Sequence, residues 1–416
     1  MSDTGTITNT YSDPNVTPPM GQAVPLGLQH VLAMFASNVT PSIIVAGAAG
    51  LAFGGPEQVY LIQMAMLFAG IATLFQTVGI GPIGARLPIM QGTSFAFVGV
   101  LAGIAATQGL GVALTACIIG GVIHFLLGSV ISNLRPLFPP LVTGLVILAI
   151  GLYLIPVAIK YAAGGAAQFQ MEAESFGSLK HWSVALTVVI VALLCKFFAK
   201  GAVSSAAILI GLVAGYALAF ALGMVNFGIM SQRQAGSPIE TVGDASATAK
   251  AGAGRDATDN EIAGATYADG LGTAIAGVFG GLPNTSFSQN VGIVGMTGIM
   301  SRHVVTIAGA IMIICGLLPK IGAVIASMPL PVLGGGVIVM FGMVAAAGIN
   351  MLAEEKMTRR NMVIIAVSLA AGLGLNLVPT AVQYLPGVVK TLATSAVAPT
   401  ALCAIILNLV LPEDMD

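Results

Sequence analysis

The chain has 416 residues, of which 56% are hydrophobic and 7% charged, with a formal net charge of -1 and a mean hydropathy of +0.97. These values exclude a soluble globular protein, a nucleic-acid binder and a polybasic membrane-surface protein, and they describe an all-α polytopic membrane protein embedded in a lipid bilayer. Cys117, Cys195, Cys315 and Cys403 stand singly in apolar runs, so neither a disulfide nor a metal site is expected.

Residues 1–23 are polar, bear prolines and lack Lys and Arg, which fits a flexible N-terminal tail better than a signal or transit peptide. Apolar stretches long enough to span, or to half-span with an extended lead-in, follow at about 24–50, 58–79, 88–107, 110–132, 139–159, 181–199 and 204–227. After a polar interval come about 265–282, 283–300, 303–326, 329–350, 361–379 and 393–411. Long continuous apolar runs of this kind are helical and argue against a membrane barrel.

Residues 283–302, PNTSFSQNVGIVGMTGIMSR, set a polar run into this apolar background. A bilayer offers Asn284, Ser288, Gln289 and Asn290 no water, so they must face protein, a cavity or a ligand. Pro283, followed by Gly292, Gly295 and Gly298, suits a short extended piece turning into a helix that starts in mid-membrane with its free N–H groups toward a ligand. The plainer alternative is that these polar residues only join helices and the glycines only allow close packing.

A second copy argues for the site. Thr93-Ser94-Phe95, after Pro88 and Gln91, repeats Thr285-Ser286-Phe287 after Pro283, and Pro140, Gly144 and Gly151 match Pro331, Gly335 and Gly342 at nearly the same offset. Two interrupted segments at corresponding places in two halves point to a transporter's substrate site. Equal halves need a fourteenth crossing, and charge supplies one. With a crossing restored at residues 238–249 and the N-terminus inside, only Lys160, Lys180, Arg233, Lys320 and Lys390 of the 15 Lys and Arg face outward; without it, nine do. The expected architecture is therefore two inverted repeats of seven segments, with the eighth truncated and short extended pieces in segments 3 and 10.

Gln289-Asn290-Val291-Gly292, with Thr297-Gly298 five residues on, resembles the signature of the nucleobase-ascorbate transporter family. Gln29-His30, the 91–95 motif, Glu240-Thr241-Val242-Gly243-Asp244 and Ala268-Asp269-Gly270 support the resemblance, which covers about residues 24–412 and is nearest to bacterial xanthine and uric acid permeases. The resemblance implies a core domain carrying the substrate and a gate domain that forms a homodimer, with elevator-like, proton- or sodium-coupled uptake across a bacterial plasma membrane and no other cofactor. Clustering of the polar motifs places the core at 24–133 and 238–328 and the gate at 134–228 and 329–416. This chain departs from the family between Phe227 and Glu240, where relatives have roughly forty more residues; a short linker, 229–237, stands in their place.

The resemblance also implies that Glu240 contacts substrate, Asp269 couples protons and Asp244 supports them. On chemical grounds, a carboxylate in a membrane span is expensive and functional by default, whereas Glu240 and Asp244 after a polar linker also fit solvated loop residues. The Gln289 amide presents a donor beside an acceptor and fits the N–H/C=O edge of an oxidised purine, where a Glu would offer acceptors only. Gln at that place goes, by resemblance, with xanthine or uric acid. Phe95 and Phe287, with Ser288 next in line, are placed to stack on a flat base and to present backbone N–H groups. Asn290 is expected to tie the two broken segments together, and His30 to shape the site more than touch ligand. His124, Tyr153 and Trp182 fit packing or interface roles.

Three alternatives remain open to sequence. A membrane enzyme lacks a nucleophile–base pair or metal cluster. An anion transporter of sulfate or bicarbonate type favours a basic or backbone-only site. A shortened, non-transporting scaffold follows if the eighth segment fails to cross.

Overall fold

The computed structural model describes residues 13–52, 54–165, 168–169, 173–225, 248–249 and 253–412. Its long helices are α1 (Met20–Ala48), α2 (Pro56–Val78), α3 (Val98–Gln108), α4 (Leu110–Leu127), α5 (Pro140–Ala162), α6 (Leu179–Phe198), α7 (Ala207–Ala221) and α8 (Asp259–Phe279). The second half continues with α9 (Ser288–Thr297), α10 (Arg302–Leu317), α11 (Pro319–Ala326), α12 (Leu330–Ala353), α13 (Arg359–Leu377) and α14 (Val397–Val410). Two three-residue strands, β1 (Gln91–Thr93) and β2 (Asn284–Ser286), precede α3 and α9.

Each of the thirteen expected segments has a counterpart here. Among the described residues, seven helices are long and apolar enough to cross a membrane, or eight if the bent α10–α11 pair is one span. That pair divides the apolar stretch 303–326 into two helices. Pro319 cannot donate to the ladder and disfavours helical geometry at Leu318, and the two pieces diverge by 78°. The restored crossing at 238–249 falls almost wholly outside the described residues; only Thr248 and Ala249 are seen, both buried.

Helix packing follows small residues. α2 packs against α10, and α4 against α8. A Cβ on Gly70 of α2 would come within 2.5 Å of the Gly309 carbonyl oxygen, and one on Gly316 equally near the Leu67 nitrogen. α5 and α12 run in the most extensive helix pair, where a Cβ on Gly151 would lie 2.5 Å from the Ala345 nitrogen. In lipid, where tails solvate Leu as well as a neighbouring helix does, such close backbone approach drives association. α6 and α7 pack on each other and on α12, while α13 and α14 pair and lean on α5. Outward faces carry large apolar side chains such as Leu186, Ile190, Leu402 and Ile406, as a lipid-facing surface requires.

Candidate substrate site

The two Thr-Ser-Phe motifs meet. β1 and β2 pair antiparallel with Gln91 opposite Ser286, Gly92 opposite Thr285 and Thr93 opposite Asn284. The ladder is extended by Ser94 N–H donating to the Pro283 carbonyl at 3.0 Å and Phe287 N–H donating to the Met90 carbonyl at 2.9 Å. Inverted copies of one motif, brought together about a pseudo-twofold, pair in this sense, and the pairing satisfies backbone groups that a bilayer cannot. Gly92 is required by close approach: a Cβ there would meet Phe287 Cε2 and Met34 Cε at 2.5 Å.

Equivalent threonines brace the two strands. Thr73 Oγ1 on α2 accepts from Gln91 N–H at 2.9 Å and lies 3.4 Å from the Gln91 carbonyl, while Thr273 Oγ1 on α8 accepts from Asn284 N–H at 3.1 Å and lies 3.3 Å from the Asn284 carbonyl. Asn38 of α1 adds a third brace, its Oδ1 accepting from Thr93 N at 2.8 Å and from Thr93 Oγ1 at 3.1 Å. Single buried hydroxyls and amides carry no periodic signal, so Thr73, Thr273 and Asn38 were not among the sequence candidates.

Beside the strands lies a cavity of about 320 Å³. Phe95 and Phe287 both line it, as do Ser94 and Ser286, so the residues expected to flank a ligand share one space. Phe95 stands edge-on to Phe341 of α12, with ring centroids 5.0 Å apart. α3 and α9 start just after these phenylalanines, which aims their N–H ends toward the cavity. Gly99 N–H, in the first turn of α3, donates to the Tyr153 hydroxyl at 2.8 Å. Tyr153 therefore does more than pack.

Several polar atoms at the strand crossing are buried without a hydrogen-bond partner among the described residues: both amide atoms of Gln91, Asn284 Oδ1, Ser286 Oγ and Asn290 Oδ1. Each such group costs about 1–3 kcal/mol if left unpaired in an apolar interior, a cost that a polar ligand or water would relieve.

The remaining candidates are placed as follows. His30 and Asn290 are buried and joined to each other, and neither lines the cavity. Asp269 is buried on α8, away from the cavity wall, and Gln76 Nε2 of α2 donates to its Oδ1 at 3.1 Å. Ser288 and Gln289 form the start of α9, but their side chains lie outside the described part of the structure, as do Glu240 and Asp244 altogether. His124 is buried on α4, its Nε2 unpartnered among the described residues. The cavity wall also includes Lys196, which the sequence reading counted as a loop charge, and Ser204 and Ser205, which it did not single out.

A helical membrane permease with its cavity at two crossed, broken segments is thus defined. Residues 21–237 and 236–381 match a family model described as "Permease family", and the match divides within the interval where the sequence is short. The chain is 36% identical over 421 residues to the uric acid transporter UacT of Escherichia coli, covering 93% of this chain and 86% of that one. It is 33% identical over 417 residues to the xanthine permease of Bacillus subtilis, covering 94% of each. The chain belongs to the nucleobase-ascorbate transporter family, and it is a transporter rather than an enzyme. Among solved structures it is similar to the transmembrane domain of the cyanobacterial bicarbonate transporter BicA, with TM-score 0.60 and 16% identity over 94% of this chain and 98% of that one. It also resembles murine Slc26a9, with TM-score 0.63 and 13% identity over 95% and 69%. At such identities the likeness is one of fold.

Proposed function

We propose that the chain is a secondary transporter for oxidised purines, xanthine or uric acid, coupled to protons. The observation that carries this is the unpartnered polar set, Gln91, Asn284 and Ser286, beside a cavity flanked by Phe95 and Phe287. A flat, amide-edged base fills such a space by stacking on the rings and hydrogen-bonding to hydroxyl and backbone donors. The names of the relatives favour the same substrates.

In this proposal residues 24–133 and 238–328 form a core that carries substrate past a gate, 134–228 and 329–416, in an elevator-like movement. The gate forms a homodimer, and the chain lies in a bacterial plasma membrane with its N-terminus in the cytoplasm. Glu240 and Gln289 hold the purine edge, with Ser288 beside them, while Asp269, supported by Asp244, takes the coupling proton. His30 and Asn290 keep the broken segments in register.

Uptake of radiolabelled xanthine and urate into cells expressing the chain tests it. Replacing Gln289 by Glu removes a donor facing the purine carbonyl and is expected to weaken binding roughly ten- to hundredfold. Unchanged binding of both purines by that variant excludes Gln289 as a contact. The division of the family match at 236–237 favours a second reading, a shortened chain with reduced or absent uptake; accumulation against a gradient by the chain as it stands removes it.

A further inference from the structure

The cavity has one charged lining residue among those described, Lys196. It occupies the last turn of α6, and its carbonyl accepts from Ser204 Oγ at 3.2 Å, which folds the short helix Ala202–Ser205 back beside it. A lysine in the last helical turn ordinarily complements the macrodipole and extends to water. Lys196 is exposed, as are Phe197 and Phe198 after it, and it stands at the rim of the space lined by Phe95, Ser286 and Phe287.

The N-terminal ends of α3 and α9 have the same electrostatic sense, whereas the Ser204 and Ser205 hydroxyls are committed as donors to the Lys196 and Gly201 carbonyls. Ser286 is 2% exposed, and its hydroxyl has no partner among the described residues, so a donor already stripped of water awaits an acceptor. Lys196, the N-terminal ends of α3 and α9 and the Ser286 hydroxyl together stabilise an anion over a neutral molecule of the same shape.

We propose that Lys196 makes the cavity selective for an anionic substrate, so that urate, which is deprotonated at neutral pH, is favoured over xanthine, which is largely neutral there. This rests on the purine assignment above and adds to it which purine is preferred and which residue decides. Gln29 holds the lysine's neighbourhood in place, its Nε2 donating to Ser205 Oγ at 2.9 Å across from α1.

The test is equilibrium binding of radiolabelled urate and xanthine to the purified full chain near neutral pH, with Lys196→Met, which keeps length and removes charge, and Lys196→Arg, which keeps charge. Wild type is expected to prefer urate; Lys196→Met should weaken urate about tenfold and xanthine less than about twofold, with Lys196→Arg close to wild type. Parallel loss of both ligands in Lys196→Met means a structural role and overturns the proposal, as does unchanged urate binding or a wild-type preference for xanthine. Wild type that binds neither purine overturns the purine assignment itself, and this inference with it.

Discussion

Asn290 Nδ2 lies 3.0 Å from the ring Nδ1 of His30 and 3.0 Å from the His30 carbonyl oxygen. The carbonyl can only accept, so it fixes the amide with its NH₂ toward α1, and Nδ1 must then accept as well. The ring is thereby held neutral, with its proton on Nε2. One side chain of α9 thus sets both the position of α1 and the tautomer of its histidine.

Asn290→Ala removes two donors at once and leaves a buried carbonyl and a ring nitrogen unpaired. A loss of about 1–3 kcal/mol is expected. Thermal unfolding of the purified protein in detergent measures it. His30→Ala removes only the ring bond, because the carbonyl remains, and should cost less of the α1–α9 link; equal melting temperatures for wild type and Asn290→Ala would show that the link does not matter.

Gln76 works as a fixed donor. Its Oε1 accepts from Ala85 N–H at 2.9 Å, so its Nε2 is committed to the Ala265 carbonyl at 3.2 Å and Asp269 Oδ1 at 3.1 Å. Gln76→Leu takes that donor from a buried carboxyl group while nearly keeping volume. Uptake normalised to membrane expression should fall at least about tenfold if Asp269 acts in coupling, since a hydrogen bond to a charged group is worth about 1.5–3 kcal/mol. Unchanged uptake with unchanged expression would show that this donor to Asp269 is dispensable.

Two glycines at matched repeat positions should behave oppositely. A Cβ on Gly151 meets the Ala345 nitrogen at 2.5 Å, whereas one on Gly342 meets nothing within 4 Å. Gly151→Ala must push α5 from α12 and is expected to destabilise by about 1–3 kcal/mol. Gly342→Ala, in a helix interior with open space, should be neutral or stabilise by up to about 1 kcal/mol. Melting temperatures of the two variants in the same detergent decide the point.

At its water-facing start α8 is closed by a capping box. Thr258 Oγ1 accepts from Glu261 N–H at 3.2 Å and Glu261 Oε2 accepts from Thr258 N–H at 2.8 Å, with Arg255 donating to both carboxylate oxygens. Burial pushes the Glu261 carboxyl up, but the hydrogen bonds from Arg255 and Thr258 outweigh it and hold the group below its ordinary value of 4.5. A depressed carboxyl stabilises the fold above its unfolded value, and that contribution disappears as pH falls through the lower folded one. Hydrogen exchange at the first turn of α8 should accelerate below about pH 4 in wild type and be insensitive to pH there, once intrinsic rates are corrected, in Glu261→Gln.

Apolar run length located the described spans, but helix ends departed from it: α7 stops six residues short of the end of its apolar run, and α8 starts six residues before its run because Thr258 and Glu261 cap it in polar sequence. Phe95 and Phe287, singled out by the repeated Thr-Ser-Phe motif, line one cavity. Repeat matching did less well with glycines: Gly342 was paired with Gly151, yet the α12 glycines packed tightly against α5 include Gly334 and Gly348, because helix rotation, not offset, decides which face makes contact. Lys196 escaped notice because a lysine at the end of an apolar run reads as a loop charge until the fold turns it toward a cavity. The 78° bend at Pro319 was also missed, since hydropathy is blind to direction.

The pairing of β1 with β2 has a consequence for how the protein is made. Its two strands are separated by roughly two hundred residues, so the contact belongs to the slow, non-local class. Until the second repeat has been synthesised and inserted, β1 waits with its pairing edge open inside the first. The candidate site is therefore among the last parts to form, and truncation anywhere before β2 removes one of its two strands.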